Sequence, residues 1–412
     1  MKRWLEENLK KLNLVESMNQ PDGFTRLGYT EAESDAIQVF EKIATDLGLT
    51  LRHDAAGNVT ARWEGSQPEE PAVAVGSHLD TVASGGGYDG VAGVLCGLGA
   101  VKLLRDEGFE PRHPIEVICF RSEESSRFGI STIGSKAMAG LLDLEIGSVT
   151  DAEGISIQEA VADMGLDWSQ FPKAERPAQD IKSFVELHIE QGMILEENGK
   201  NFGVVEGIAC PIRLKVQAAG MAGHTGTTPM HRRQDALVAV SSLILFVSET
   251  ARELSEQNPI PVVATVGMIE VKPNVMTVIP GSVEVGIDIR SVDDSLKKEV
   301  AQRIRQKCEE LEKATQVQFL VQTLVNNPSV ILDSGVQKKL AKAGENTGFS
   351  GMKLNSGAGH DVMNMAAKWP SGLIFIPCKE GLSHHPDEFA TADDLKMGTE
   401  ILASYLKQEA GE

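Results

Sequence analysis

The chain has 412 residues, more than one hydrophobic core usually serves, so about two domains are expected. With 42% hydrophobic and 24% charged residues it has the balance of an ordinary folded protein, neither disordered nor fibrous. A formal charge of -20, with no basic stripe carrying interleaved aromatics, argues against nucleic acid and anionic membrane surfaces as partners.

The opening MKRWLEENLKKLNLVESM carries charges at helical spacing and lacks the apolar core and small-residue cleavage site of a signal peptide, so a cytoplasmic protein is expected. Cys96, Cys119, Cys210, Cys308 and Cys378 are scattered, without zinc-knuckle or redox spacing, and are expected to be reduced core residues. From Ala72 to Thr81 the pattern predicts a buried strand, from Val91 to Glu107 a helix, and in PIEVICFRSEE a second strand ending in acids. Further strands are predicted in FVELHIEQG and GLIFIPC, the latter followed by the loop KEGLSHHPDE. This alternation is that of an α/β sheet whose functional groups lie at the carboxyl ends of its strands.

Between these elements the pattern changes. IRLKVQAAG reads as strand, Gln234 to Leu254 as helix, VVATVGMIEV and SVEVGIDIRS as strands, Ser295 to Ala314 as helix, and VQFLVQTLV as strand. The order βαββαβ predicts a ferredoxin-like domain over residues 211–327, inserted into a discontinuous domain of residues 1–210 and 328–412.

The stretch VAVGSHLDTVASGGGYDGVAG ends a buried strand in metal-type chemistry. Side chains alternate along a strand, so His78 and Asp80 point the same way, and Asp80 is placed to hold the far imidazole nitrogen of a metal-bound His78. Glycines would let the chain turn tightly and return Asp89 beside His78, where it could bridge two cations. Taken alone, a flexible turn from Ser84 to Gly87 and a satisfied core histidine are the simpler reading. A phosphate loop is disfavoured because the Lys-Ser/Thr ending is absent.

The balance shifts because Glu123 and Glu124, His188, and His384 or His385 recur at other strand ends, with His360 a further candidate in NSGAGHDV. Adjacent glutamates at the end of a buried strand are costly unless cations neutralise them. Spacing alone does not rank the histidines.

These segments resemble the di-metal aminoacylase and carboxypeptidase-like hydrolases, and within them the amidase, hydantoinase and carbamoylase branch. The resemblance covers essentially the whole chain and rests on GSHLDTV, GGGYDG, SEESSRF, GSKAMAG, ELHIEQG, GHTGTTPM, PNVMTVIPG, SGAGHD and GLSHHPDE, in the family's order. It implies a mixed-sheet catalytic domain with an inserted lid and dimerisation domain, hence a homodimer that closes for turnover. It implies two divalent cations per subunit, one held by His78, Asp89 and His188, the other by Asp89, Glu124 and His384, and so prefers His384 to His385. Zinc, manganese, cobalt and nickel all suit such ligands.

Glu123 falls at the general base and acid position, with Asp80 assigned to the catalytic group beside it. His224 and Asn274 fall at the oxyanion, Arg290 at a substrate carboxylate and Gln191 at the amide end, with Gly359 and His360 of SGAGHD also at the substrate. Without the resemblance, His224 and Asn274 would be read as ordering turns, and Arg290 as pairing with Asp288 or Asp293. In the loop GIACPIRL, Arg213 would favour the ureido tail of allantoate, whereas Pro211 and Ile212 would suit an apolar side chain.

The implied reaction cleaves a linear C–N bond of a small carboxylate. An N-carbamoyl-L-amino acid is placed first, ahead of allantoate, N-carbamoyl-β-alanine (the β-ureidopropionase reaction) and N-acyl or N-formyl substrates. A non-catalytic binding protein would have no need of Glu123, which weighs against that alternative.

Overall fold

The computed structural model describes residues 1–411. The chain divides into two compact units: Met1–Glu206, Leu332–Ser356 and His360–Glu412 in one, Gly207–Ile331 and Gly357–Gly359 in the other.

The first unit is built on a mixed sheet. Its order is Thr50–His53, Val59–Trp63, Ile115–Phe120, Ala72–His78, Ile181–Ile189, Ser371–Ile376 and Phe202–Ile208, and Gly351–Ser356 also pairs with the last. The run from Ile115–Phe120 through Ser371–Ile376 is parallel, and the flanking pairs are antiparallel. AVAVGSH, IEVICF and SGLIFI are buried throughout, as expected for parallel strands covered on both faces.

Strand periodicity sorts the side chains. Val73, Val75, Val117, Cys119, Val185, Leu187 and Ile374 join the helices Lys2–Leu12, Val91–Asp106 and Ala392–Gly411 in one apolar core. The alternate residues, His78, Phe120, Glu186, His188 and Phe375, therefore point to the other face. Because His78 pairs with Phe120 and Ile189 with Ile376, the carboxyl ends of the parallel strands form one rim.

The second unit has the antiparallel order Gln318–Asn326, Ile212–Ala219, Ser282–Arg290, Val263–Lys272. Numbered along the chain this is 4-1-3-2, with the helices Ala236–Gln257 and Asp294–Thr315 packed on the sheet in a core that includes Val216, Val240, Val285 and Ile304. The strand Ile212–Ala219 alternates buried and accessible residues, so this sheet is covered on one face only. Among the described residues, no helix is long and apolar enough to cross a membrane.

Candidate metal centre

The strand rim of the first unit carries two groups of possible metal ligands among the described residues: His78, Asp89 and His188, and Asp89, Glu124 and His384. Asp89 belongs to both. Its Oδ1 lies 3.4 Å from His78 Nε2 and 3.0 Å from His188 Nε2, and its Oδ2 lies 3.5 Å from His384 Nε2. His384 Nε2 is 3.3 Å from Glu124 Oε1. Each carboxylate oxygen of Asp89 thus faces a different group.

The imidazoles are oriented from behind. His78 Nδ1 is 3.0 Å from the Asp80 carbonyl and His188 Nδ1 is 2.9 Å from the Ile189 carbonyl, which places the ring proton on Nδ1 in each. Nε2 of each ring faces the buried Asp89 carboxylate, and His188 Nε2 also accepts the Gly90 N–H at 3.2 Å. Such a donor set fits a divalent cation, since electron pairs converge where a positive charge would be stabilised. Burial disfavours charge on both rings, but Asp80, Asp89 and Glu123 around His78, and Asp89 and Glu186 around His188, outweigh it and raise both above the usual histidine range.

The loop from the His78 strand to the helix Val91–Asp106 differs from the expected glycine turn. Its left-handed residues are Ser84 (φ 52°) and Gly90 (φ 65°), not Gly85, Gly86 or Gly87. The three consecutive glycines instead admit close neighbours: a Cβ would lie 2.8 Å from Val82 Cγ2 at Gly85, 2.2 Å from Glu388 Oε1 at Gly86 and 2.6 Å from Met18 Cε at Gly87. At Gly90 both constraints apply, because a Cβ there would meet the His78 ring at 2.4 Å.

Asp80 approaches His78 Nδ1 as expected and has a second set of partners. Its carboxylate accepts the backbone N–H of Glu123 at 3.0 Å on Oδ1 and that of Glu124 at 2.9 Å on Oδ2. The group nearest to His78 Nδ1 is the Asp80 carbonyl, with Oδ1 farther away at 3.4 Å. Asp80 therefore serves His78 and the glutamate turn together. Glu123 is 7% exposed, with Oε2 3.9 Å from His78 Nε2. Burial pushes its carboxyl well above the usual carboxylate range, His78 opposes this, and Glu124 adds to it.

The rival histidines separate. His385 Nδ1 accepts the Asp387 N–H at 3.1 Å, away from both groups, whereas left-handed His384 (φ 56°) faces Glu124 and Asp89. His360, expected at the substrate, is 2% exposed, with its ring edge-on to His188 at 4.6 Å and Nε2 3.0 Å from Ser356 Oγ. It backs a histidine instead of lining an open surface, and burial holds it neutral, well below the usual histidine range.

Gln191 donates from Nε2 to Asp89 Oδ2 at 2.6 Å and to Ser383 Oγ at 3.1 Å, and its buried Oε1 has no hydrogen-bond partner. An unpartnered buried acceptor is a place for a ligand N–H.

In the second unit, His224 pairs across a short ribbon with Val278, and Asn274 is left-handed (φ 56°) in the segment leading into it. Both are exposed. Asp288 ties the two arginines together: Oδ1 accepts Arg290 Nε at 2.8 Å and Oδ2 accepts Arg213 Nε at 2.9 Å. Arg290 also donates to the Gly357 carbonyl at 2.7 Å, and Gly359 belongs to this unit. The Asp288 pairing considered from sequence is thus present, and it leaves terminal nitrogens of both guanidinium groups beyond the bonds to Asp288.

Sequence reasoning missed Glu388 and Ser383, although both lie in the quoted GLSHHPDE, because their partners are backbone groups and side chains remote in sequence. It also left GSKAMAG without a role. Ser135 of that motif donates to Asp361 of SGAGHD at 2.5 Å, joining two segments that flank the rim.

The model of peptidase family M20/M25/M40 matches residues 74–408. The chain is 39% identical over 392 residues to an N-carbamoyl-L-amino acid amidohydrolase of Geobacillus stearothermophilus, covering 95% of each chain. It is 34% identical over 393 residues to the allantoate amidohydrolase of Escherichia coli K12, covering 94% of this chain and 93% of the relative. The crystal structure of an amidase of the hydantoinase/carbamoylase family from Burkholderia multivorans superposes with a TM-score of 0.91 at 31% identity, covering 100% of this chain and 98% of that one. With ordered motifs, mixed sheet and paired ligand groups all in agreement, the chain belongs to peptidase family M20/M25/M40 and is a hydrolase.

Proposed function

We propose that the protein hydrolyses a linear C–N bond in a small carboxylate, with an N-carbamoyl-L-amino acid as the substrate class, releasing the amino acid, carbon dioxide and ammonia. The observation that carries this reading is Asp89, whose two oxygens face two ligand groups while Glu123 stands beside them. His78, Asp89 and His188 would hold one divalent cation, and Asp89, Glu124 and His384 another. When bound, such cations would supply Lewis acidity and lower the pKa of the attacking water.

The chain's own residues do the rest. Glu123 takes a proton from the attacking water and returns it to the leaving nitrogen, a role suited to a carboxyl whose burial raises its proton affinity. Asp80 fixes the turn that aims Glu123. Gln191 Oε1 accepts an N–H of the substrate's carbamoyl end. The family resemblance assigns the developing oxyanion to His224 and Asn274 and the substrate carboxylate to Arg290. Geobacillus and Escherichia relatives named for different substrates both match over nearly the whole chain, and the higher identity to the Geobacillus relative, 39% against 34%, supports the N-carbamoyl-L-amino acid reading. Ile212, weighed from sequence as a contact for an apolar side chain, is instead buried in the core of the second unit, on the face opposite exposed Arg213.

We further propose a homodimer through the second unit. The edge strand Val263–Lys272 carries exposed Val263, Met268 and Ile269, and the helix Ala236–Gln257 carries exposed Val238 and Leu245. An apolar unpaired edge is a surface that folded proteins ordinarily cover. Light scattering of the purified chain at twice the 44.3 kDa mass supports this, and a monomer mass rejects it.

Substrate choice is tested by ammonia release from metal-reconstituted protein on N-carbamoyl-L-methionine, allantoate, N-carbamoyl-β-alanine and N-formyl-L-methionine, the last followed by amine release. Highest kcat/KM on N-carbamoyl-L-methionine is expected. A higher value on allantoate would transfer the assignment to that substrate.

A further inference from the structure

Glu388 ends the loop that carries His384, and its side chain is 4% exposed. Its Oε1 accepts the backbone N–H groups of Tyr88 and Asp89, each at 2.9 Å. Two successive N–H groups aimed at one oxygen fix the peptide planes on either side of Tyr88 and with them the direction of the Asp89 side chain. On the other side, Oε2 is 3.1 Å from the Ser383 hydroxyl, which is also 2.8 Å from Asp89 Oδ2.

A serine hydroxyl has one hydrogen, so it satisfies only one of these carboxylates at a time. If a cation engages Asp89 Oδ2, the Ser383 hydrogen is left to Glu388. The adjacent residue, His384, has a left-handed conformation (φ 56°), uncommon outside glycine though histidine adopts it more readily than most, so the turn that presents it is well defined. The Lys379 N–H donates to the Phe389 carbonyl at 2.8 Å and closes this loop just beyond Glu388. The GGGYDG loop receives Glu388 closely: any Cβ at Gly86 would lie 2.2 Å from its Oε1.

We propose that Glu388 is a positioning residue for cation binding, a single buried carboxylate that holds the bridging Asp89 and the Ser383–His384 turn at the spacing both ligand groups require. The inference rests on the di-metal reading above. It goes beyond that reading by making both cation affinities depend on a side chain that belongs to neither ligand group. Loss of an outer partner of a metal ligand typically costs about 10–100-fold in affinity.

The test is equilibrium dialysis of the metal-stripped full chain against manganese or zinc, with bound metal counted per chain and folding followed by circular dichroism. Wild type is expected to bind two equivalents. Glu388→Ala is expected to stay folded and to bind both about 10–100-fold more weakly. Glu388→Gln keeps a carbonyl oxygen for the Tyr88 and Asp89 N–H groups and an amide for Ser383, so it is expected to restore most of the affinity.

Wild-type affinity in Glu388→Ala overturns the proposal, and so does a loss in Glu388→Gln as large as that in Glu388→Ala, since charge and not positioning would then be at work. A wild-type chain that binds no divalent cation overturns the underlying di-metal reading as well. If Glu388→Ala does not fold, Ser383→Ala decides: a weakened second equivalent with the first retained supports the tie, and unchanged binding of both rejects it.

Discussion

Asp80 and Glu123 follow different strands of the same sheet, yet the Asp80 carboxylate accepts the Glu123 backbone N–H at 3.0 Å and takes the neighbouring Glu124 N–H with its other oxygen. One fully buried acid thus sets the position of the proposed base and of a proposed ligand together. Asp80→Asn keeps the shape, loses the charge and retains only one oxygen acceptor for the two N–H groups. A fall in kcat of about 10–100-fold is expected, with a smaller change in KM. Steady-state kinetics checks this, and an unchanged kcat would show that the glutamate turn holds itself.

Glu123→Gln removes the proton acceptor and leaves the ligand groups intact. Turnover is expected to fall about 10²–10⁴-fold while the bound metal per chain is unchanged. Retained turnover would remove Glu123 from the chemistry, whereas loss of both turnover and metal would make it a ligand.

The shared carboxylate predicts an asymmetry among ligand substitutions. His384→Ala touches one group and is expected to leave one tightly held cation. Asp89→Asn touches both and is expected to weaken both. Metal analysis after dialysis separates these cases, and equal losses in the two variants would mean that Asp89 does not bridge.

Gly93 gives a test of the packing beneath the site. Alanine normally favours a helix over glycine by about 1 kcal/mol. Here a Cβ would lie 2.2 Å from the Leu187 carbonyl, a backbone atom of the strand that carries His188. Overpacking of this kind costs about 1–3 kcal/mol, so the clash wins and Gly93→Ala is expected to lower Tm. A raised Tm would show that helix and strand separate easily.

Asp288 holds both Arg290 and Arg213. Arg290→Ala is expected to raise KM by about tenfold or more through loss of a charge-assisted bond, and Arg213→Ala to raise it less on N-carbamoyl-L-methionine. Comparable losses would mean that the two guanidinium groups share the substrate.

Much of this arrangement was legible in the sequence because its cause is local. The AVAVGSH and IEVICF runs read as buried strands, and a polar residue at the end of such a run stands out. The helix beginning at Val91 and the βαββαβ order of the inserted segment follow from periodicity in the same way. The rest depends on contacts between distant segments. Nothing in LDT shows that the Asp80 carboxylate will cap a turn more than forty residues later, and nothing in PDE marks Glu388 as the partner of the Tyr88 and Asp89 backbone. The glycines of GGGYDG suggested conformational freedom, which only Gly90 uses (φ 65°), whereas a Cβ at any of the four would lie within 3 Å of a neighbour. His360 looked available on a glycine-rich loop, but its ring is spent in packing against His188.

The most direct test of the central claim is the titration of metal-stripped protein with manganese, following ammonia release from N-carbamoyl-L-methionine against equivalents added. Activity absent without metal and rising to a plateau at two equivalents per chain is predicted. Full activity in the stripped protein, or a plateau at one equivalent, would contradict a centre built on a shared Asp89.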